Sequence, residues 1–452
     1  MIVDEATACS SGMAMGPARP VGSHDNPAMT STPAPATPSG VLPRRQAVAV
    51  FLVFAFAYFL SALLRAITAT LSPTLSAELG LQARDLGLLA GGYFFGFSLT
   101  QLPMGHWLDT HGPRQVVLRF LGVAVVGCLA FAWASDFSGL LMARVLIGVG
   151  VSACLMAPLT GYRRWIALEK QQRANSWMLM TGSLGMLAST LPVQWLLPVV
   201  GWRWIFVGLA GMILLAMLCM AWQVPVWTAA PRPAAPEEDV GTGRKPGILA
   251  SYAQVWRHPY FRSLIPLGFF NYGGLIAMQT LWAGPWMIKV GGYSPVEAAT
   301  GLFWINVTML GVFWMWGLIT PKLYARGFTA NRLMTLGVPL NFCVQAYIVW
   351  AGPQAGALEW TLFCVTSSFV SLAQPAVGMA FPSQLAGRPL SAYNLVMFLG
   401  VFVVQWGVGL LIDSFKGMGW PEPAAFQGAV AVFGVCCLLS YLFFLRHKSD
   451  HG

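Results

Sequence analysis

The chain has 452 residues, of which 56% are hydrophobic and only 9% are charged. Soluble domains carry about 25% charged residues, so this composition excludes a water-soluble globular enzyme. The apolar residues stand in blocks of about eighteen or more, which is the length a membrane-spanning helix needs. The formal net charge of +10 comes from basic residues scattered singly between these blocks, so it does not indicate a nucleic-acid partner. The sequence therefore predicts an all-α polytopic membrane protein.

The first predicted element is a disordered cytoplasmic tail over residues 1–43, which is rich in Ala, Pro, Ser and Thr and has no signal-peptide pattern. Six apolar blocks follow, and they predict spans at about 46–72, 85–107, 115–134, 139–161, 174–197 and 203–223. We expect residues 44–223 to form an N-terminal six-helix bundle.

A polar stretch over residues 224–262 contains PRPAAPEED and GTGRKPG, and it predicts a central cytoplasmic loop. Six more apolar blocks follow it, at about 263–289, 298–320, 331–351, 357–380, 391–413 and 425–445. We expect a C-terminal six-helix bundle over residues 263–446 and a cytoplasmic tail over 447–452, which gives twelve transmembrane helices in a 6 + 6 arrangement.

The basic residues indicate the orientation of these spans. With the N-terminus inside, the outer segments hold four of them, Arg84, Arg203, Lys289 and Lys416. Two more, Arg65 and Arg144, fall within spans, and the remaining twenty of the 26 lie on the inner side. This bias predicts a multi-pass plasma membrane protein with both termini cytoplasmic, which in a Gram-negative cell means the inner membrane.

The loop between spans 2 and 3 reads GHWLDTHGPRQVV and contains Gly105, Asp109, Gly112 and Arg114. It resembles the signature loop of the major facilitator superfamily, G-x-L-x-D-x-x-G-x-R. The resemblance implies a conformational latch, in which glycines allow a tight turn and the carboxylate and arginine form a charge network. Thr110 departs from the pattern, because the family usually has a basic residue there. The alternative is a solvated turn with no latch.

Three further segments extend the resemblance. Span 4 contains RVLIGVGVSA, whose Arg144 resembles the family's span-4 arginine. We assign Arg144 to the residues of the conformational latch. The segment GWRWIF, after span 5, also resembles a recurrent segment of the family. The segment after span 8, GLITPKLYARGFTANR, resembles a degenerate second copy of the signature loop, with Pro321 in place of the acid. The resemblance implies a secondary transporter that works by alternating access around a midplane site.

Arg65 is the principal candidate for substrate binding. An arginine within hydrocarbon costs several kcal/mol unless it faces a partner, a cavity or the interface. The segment resembles span 1 of the glycerol-phosphate antiporter branch, where an arginine that binds the substrate anion also precedes a proline by eight residues, as Arg65 precedes Pro73. The second arginine of that branch has no counterpart, since Ala277 stands eight residues before Pro285. This favours a singly charged carboxylate over a phosphate ester, while outward snorkelling or packing of Arg65 remains open.

Other polar residues within spans are weaker candidates for lining the substrate path, because interhelical hydrogen bonding accounts for them equally well. These residues are Tyr58, Tyr93, Gln101, Asn271, Tyr272, Gln279, Asn306, Gln374, Asn394 and Gln405.

Carboxylates and histidines are absent from the middle of the predicted spans, because every one of them lies in a tail, a loop or a span end. Proton symport usually uses an intramembrane titratable group, so the sequence leaves open a span-end relay, a protonated substrate, exchange or facilitated diffusion. No P-loop, GxSxG or metal-spaced cluster is present, and we expect no enzymatic activity, no cofactor and no metal.

The sequence thus favours a monomeric secondary or facilitative transporter of a small organic anion, embedded in a lipid bilayer, with an unknown coupling ion. The first alternative is a broad-specificity drug or metabolite efflux transporter. Span 5 disfavours it, because GSLGMLASTLP keeps Gly182 and Gly185 but lacks the Gly-Pro end of the drug antiporter motif. The second alternative is a non-transporting sensor on the same fold.

Overall fold

The structure, a computed structural model, describes residues 41–226, 248–381 and 387–448, except for the side chains of residues 168, 172 and 248–251. Residues 1–40 of the predicted tail, most of the central loop and residues 449–452 lie outside these ranges. The first six helices are α1 Arg44–Leu79, α2 Ala83–Leu99, α3 Gln101–Trp133, α4 Phe137–Trp165, α5 Leu168–Ala188 and α6 Leu191–Gln223.

Seven more helices are described, and the first of them begins within the polar stretch that separates the two predicted bundles. They are α7 Ile248–Arg257, α8 Pro259–Lys289, α9 Pro295–Ala325, α10 Ala330–Gln354, α11 Ala357–Met379, α12 Gly387–Gly417 and α13 Glu422–His447. Ten of the described helices are long and apolar enough to cross a membrane, namely all except α2, α5 and α7. The described residues contain no strand, so the predicted all-α class is confirmed.

Twelve crossings result because two helices change direction at a glycine. Within α3, Gly112 has φ +76°, and within α6, Gly201 has φ +75°, a region that glycine adopts without strain. The backbone remains helical through Thr100, so α2 continues into the first part of α3 and ends at Gly112. The second crossing therefore runs from Ala83 to Gly112, and the third follows it.

Close contacts at glycines establish the relative directions of these crossings. Gly92 lies against Leu141 and Gly96 against the Val145 backbone, so α2 and α4 run parallel. In contrast, Gly127 lies against Ile147, and Gly150 against the Ala124 backbone, so the part of α3 after Gly112 runs antiparallel to α4. The chain thus reverses at Gly112, as the turn predicted between spans 2 and 3 requires.

The two ends of the bundle can be named by residues that lie there. The carboxylate of Asp413, near the end of α12, contacts the first residues of α2, and the continuation of α2 ends at Gly112. We call these the Asp413 end and the Gly112 end. At the Asp413 end, α9 begins with Pro295 after a capping box between Ser294 and Glu297.

Helix packing in the first half depends on small residues, and Gly148 offers a direct test. A Cβ atom at Gly148 would overlap the Tyr93 carbonyl, whereas one at Gly208 would meet nothing within 4 Å. We expect Gly148→Ala to destabilise the protein by about 1–3 kcal/mol, the usual cost of overpacking. Gly208→Ala is the matched control and should leave the melting temperature of the detergent-purified protein unchanged. Equal melting temperatures for the two variants would contradict this packing.

Candidate functional site

The Arg65 side chain projects from the middle of α1 toward both halves of the chain. Its neighbours are the hydroxyls of Tyr58 and Tyr93 from the first half and of Tyr272 from α8. The guanidinium carbon lies 6.0 Å from the centre of the Phe97 ring. Arg65 and Tyr272 are half-buried, so this cluster is partly accessible where the two halves meet. Tyr93 and Tyr272 belong to other helices, whereas Tyr58 stands earlier on α1 itself.

Arg144 is the second cationic side chain of this region, and it is fully buried. It donates one hydrogen bond to the Leu64 carbonyl at 3.0 Å and another to Oγ1 of Thr68 at 2.5 Å. It thereby holds the turn of α1 that carries Arg65. Asp136, the acid that precedes α4, does not pair with Arg144, because its carboxylate caps α4 by accepting from the Gly139 backbone N–H.

Tyr93 connects the two arginines. The Arg144 guanidinium carbon lies 5.5 Å from the centre of the Tyr93 ring, and the Tyr93 hydroxyl donates to the Ser61 carbonyl at 3.1 Å while facing Arg65. Among the described residues, neither arginine has a carboxylate partner. The cluster therefore carries two positive charges that an anion could neutralise.

Helix α8 brings Tyr272 and Gln279 to the boundary between the halves through two π-helical segments, Leu267–Tyr272 and Met278–Trp282. Such wide turns occur frequently at functional sites. The amide of Gln279 donates to Asn306 Oδ1 at 2.9 Å, and that of Gln405 donates to Thr280 Oγ1 at 3.0 Å. The buried Oε1 of Gln405 has no hydrogen-bond partner among the described residues.

The other candidate amides form hydrogen bonds within the bundle, and one of them bonds to Phe97, whose ring lies beside Arg65. Gln101 donates to the Phe97 carbonyl of its own helical run, Asn271 donates to Ser440 on α13, and Gln374 donates to Asn394 on α12. The Asn271 and Gln374 pairs match the interhelical hydrogen bonding considered above, whereas the Gln101 bond lies within one helical run. The structure thus groups Arg65, Tyr58, Tyr93 and Tyr272, and it gives the amides partners of their own.

The signature loop lies at the Gly112 end, and its residues differ in what they do. Gly112 makes the turn, whereas Gly105 lies inside a helix, where an added Cβ would meet nothing within 4 Å, so the expectation that Gly105 serves the turn is wrong. Arg114 donates to the Ala221 carbonyl at 2.5 Å. Within the described ranges Asp109 is exposed and forms no ion pair, so the charge network is not assembled in this conformation.

Tyr252 of α7 occupies the space between the two halves at the Gly112 end. Its hydroxyl donates to the Leu102 carbonyl at 3.2 Å, and Arg388 and Ser391 of α12 lie close to it. Burial raises the pKa of Tyr252, which keeps the hydroxyl protonated as a donor. The sequence pattern did not indicate that a tyrosine of the central polar stretch contacts both halves.

Two acids at the Asp413 end also make contacts that the sequence pattern did not indicate. The first is Asp413 itself, and the second is Glu78, near the end of α1, which accepts a hydrogen bond from the Trp202 indole at 2.6 Å and pairs with Arg203. Glu78, Trp202 and Arg203 line a cavity of about 570 Å³ that also includes Pro295. Its charges are already paired, so it differs from the Arg65 cluster, where two arginines lack acids within the described ranges.

Twelve apolar crossings around an arginine cluster at the boundary of two halves define a polytopic membrane transporter. The chain matches the Major Facilitator Superfamily model over residues 54–404 and belongs to that family. This confirms the family and fold that the signature loop predicts.

Named relatives are distant. The chain is 22% identical to the D-galactonate transporter of Escherichia coli O6:H1 over 84% of this chain and 90% of that protein. It is 25% identical to the putative multidrug resistance protein MdtD of Citrobacter koseri, over 83% and 88%. A crystal structure of a bacterial homologue of the human lysosomal transporter Spinster has a TM-score of 0.73 at 16% identity, covering 90% of this chain and 98% of that one.

Proposed function

We propose that this major facilitator transporter carries a small organic anion of the carboxylate type. The observation that supports this most is the pair of cationic side chains, Arg65 and Arg144, on either side of Tyr93 without a carboxylate partner in the described residues. A planar guanidinium donates two parallel hydrogen bonds to a carboxylate, so Arg65 would bind the anion directly. The hydroxyls of Tyr58 and Tyr272 would complete its polar contacts.

The relatives support this proposal and also supply its main alternative. D-galactonate is a polyhydroxylated carboxylate, which suits an arginine beside three hydroxyls. The name of MdtD refers to multidrug resistance, which corresponds to broad-specificity efflux. Cationic drugs would need a buried carboxylate near the site, and the sequence offers none in the middle of a span.

The test is uptake of radiolabelled D-galactonate into proteoliposomes that contain the purified chain, with other solutes present as competitors. We expect small hydroxycarboxylates and monocarboxylates to reduce uptake and cationic drugs to leave it unchanged. Export of cationic compounds, with no competition by any carboxylate, would replace the anion proposal with the efflux alternative. Protein-free liposomes are the control for leakage.

We also propose the domain boundaries 44–223 and 263–446, joined by the central loop, and a monomeric protein in the plasma membrane. Both termini would be cytoplasmic, and the Asp413 end would face outward. The positive-inside distribution of the basic residues supports this orientation.

Single cysteines at Thr110 and Pro295, each in a background whose native cysteines are replaced, test this orientation. Both side chains are exposed, Thr110 at the Gly112 end and Pro295 at the start of α9. In intact cells, a membrane-impermeant maleimide should label Pro295→Cys and not Thr110→Cys. Permeabilised cells should give labelling of both, and labelling of both in intact cells would contradict the proposed topology.

A further inference from the structure

The most extensive contact between the two halves runs along α2 and α12. The helices are antiparallel, since Gly87 lies against the Gln405 backbone, Gly91 against Phe402, and Phe94 stacks on Phe398. At the Asp413 end their backbones meet directly, because a Cβ at Gly409 would overlap the Ala83 carbonyl. Alternating access requires this contact to separate in one of the two states.

The Asp413 carboxylate closes this contact chemically. Its two oxygens accept hydrogen bonds from the backbone N–H groups of Ala83 at 3.3 Å and Arg84 at 2.9 Å, which are the first two residues of α2. These N–H groups have no partner within their own helix, and a helix N-terminus attracts negative charge. An acid near the end of one half therefore caps a helix of the other half.

The opposite end of the same pair of helices is arranged differently. There, Tyr252 of α7 lies between the Leu102 carbonyl and residues Arg388 and Ser391 of α12. The backbones of α2 and α12 touch at the Asp413 end, whereas a side chain lies between the two helical runs at the other end. The two helices therefore diverge toward the Gly112 end. The described conformation is thus closed at the Asp413 end.

We infer that Asp413 is a conformational latch, which holds the Asp413 end closed through its bonds to the N-terminus of α2. Because α2 and α12 belong to different halves, opening this end breaks both hydrogen bonds and exposes the carboxylate. Removing the carboxylate should therefore shift the conformational equilibrium toward the state that is open at the Asp413 end, by about tenfold. The latch lies opposite the signature loop, whose Asp109 forms no ion pair in the described residues.

The experiment measures distances between spin labels in the purified full chain by pulsed electron paramagnetic resonance. One label pair, Ala77→Cys with Met418→Cys, reports on the Asp413 end, and a second, Thr110→Cys with Ala325→Cys, reports on the Gly112 end. All four positions are exposed, and native cysteines are replaced. We expect Asp413→Ala and Asp413→Asn to increase the population of long Ala77–Met418 distances and of short Thr110–Ala325 distances.

Glu422→Ala is the matched control. Glu422 is an acid at the same end, and its partners Lys289 and Lys416 belong to its own half, at 3.8 and 3.4 Å. Its removal changes the net charge equally and should leave both distributions unchanged. Asp413→Glu keeps a carboxylate, so it should shift the distributions less than Asp413→Ala does.

Unchanged distances in a folded Asp413→Ala variant, or an equal shift in Glu422→Ala, would overturn the latch. Circular dichroism verifies folding, and if Asp413→Ala does not fold, the isosteric Asp413→Asn variant decides the question. No substrate is needed, so the result is independent of whether the transported solute is an anion.

Discussion

Replacement of Arg65 by alanine should reduce D-galactonate uptake by about 10- to 100-fold. The loss of a charge-assisted hydrogen-bonded contact costs about 1.5–3 kcal/mol, and each 1.4 kcal/mol corresponds to about tenfold in affinity. Arg65→Lys keeps the charge but loses the two parallel donors, so we expect an intermediate uptake rate. The measurement is initial uptake into proteoliposomes at several substrate concentrations, with the protein content of each sample determined.

The matched control for Arg65 is Arg119→Ala. Arg119 is an exposed arginine of α3, and removing it changes the net charge by the same amount. Its uptake should equal that of the wild-type protein. If Arg65→Ala keeps wild-type uptake, or if Arg119→Ala loses as much, Arg65 is not the anion-binding residue.

Replacement of Arg144 by methionine should reduce uptake without lowering the melting temperature. The buried charge has no acid partner among the described residues, so its removal eliminates a desolvation cost of several kcal/mol. After the change, the Thr68 hydroxyl can donate to the Leu64 carbonyl one turn earlier. We therefore expect a melting temperature no lower than that of the wild-type protein.

Uptake by Arg144→Met should nevertheless fall by about tenfold or more. The Arg144 guanidinium bonds to Leu64 and Thr68 and so fixes the turn of α1 that carries Arg65. A misplacement of about 1 Å at a binding side chain is enough for such a loss. A fall in melting temperature that accounts for the whole loss of uptake would instead assign Arg144 to packing.

The fold could be predicted from the sequence because apolar length, basic residues and the signature loop are all local features. Twelve crossings follow from twelve apolar blocks, even where α2 and α5 alone are too short or too polar to count as spans. The turn glycine Gly112 was also predictable, because the family pattern places it in a short loop. Gly105 was assigned to the same turn only because it is a glycine of that pattern. It lies inside a helix, so two glycines of the same motif have different structural roles.

The candidate site was predictable only in part. Arg65, Tyr58, Tyr93 and Tyr272 attract notice as polar residues inside apolar blocks, and they lie together. The amides attract notice for the same reason, yet most of them pair with other helices, which composition cannot distinguish from pore lining. Asp413 stands at a span end, where an acid is ordinary, and its partner is 330 positions away in the chain. No local pattern encodes that contact.

The measurement that tests the central claim most directly is thermal stabilisation of the detergent-purified wild-type protein by a panel of solutes. A ligand that binds the native state raises the melting temperature in proportion to the logarithm of its concentration above Kd. The panel contains D-galactonate, small monocarboxylates, a phosphate ester, a neutral sugar and a cationic drug. We predict that the carboxylates raise the melting temperature and that the neutral sugar and the cationic drug do not. Stabilisation by the cationic drug, with none by any carboxylate, would contradict the assignment of an organic-anion transporter.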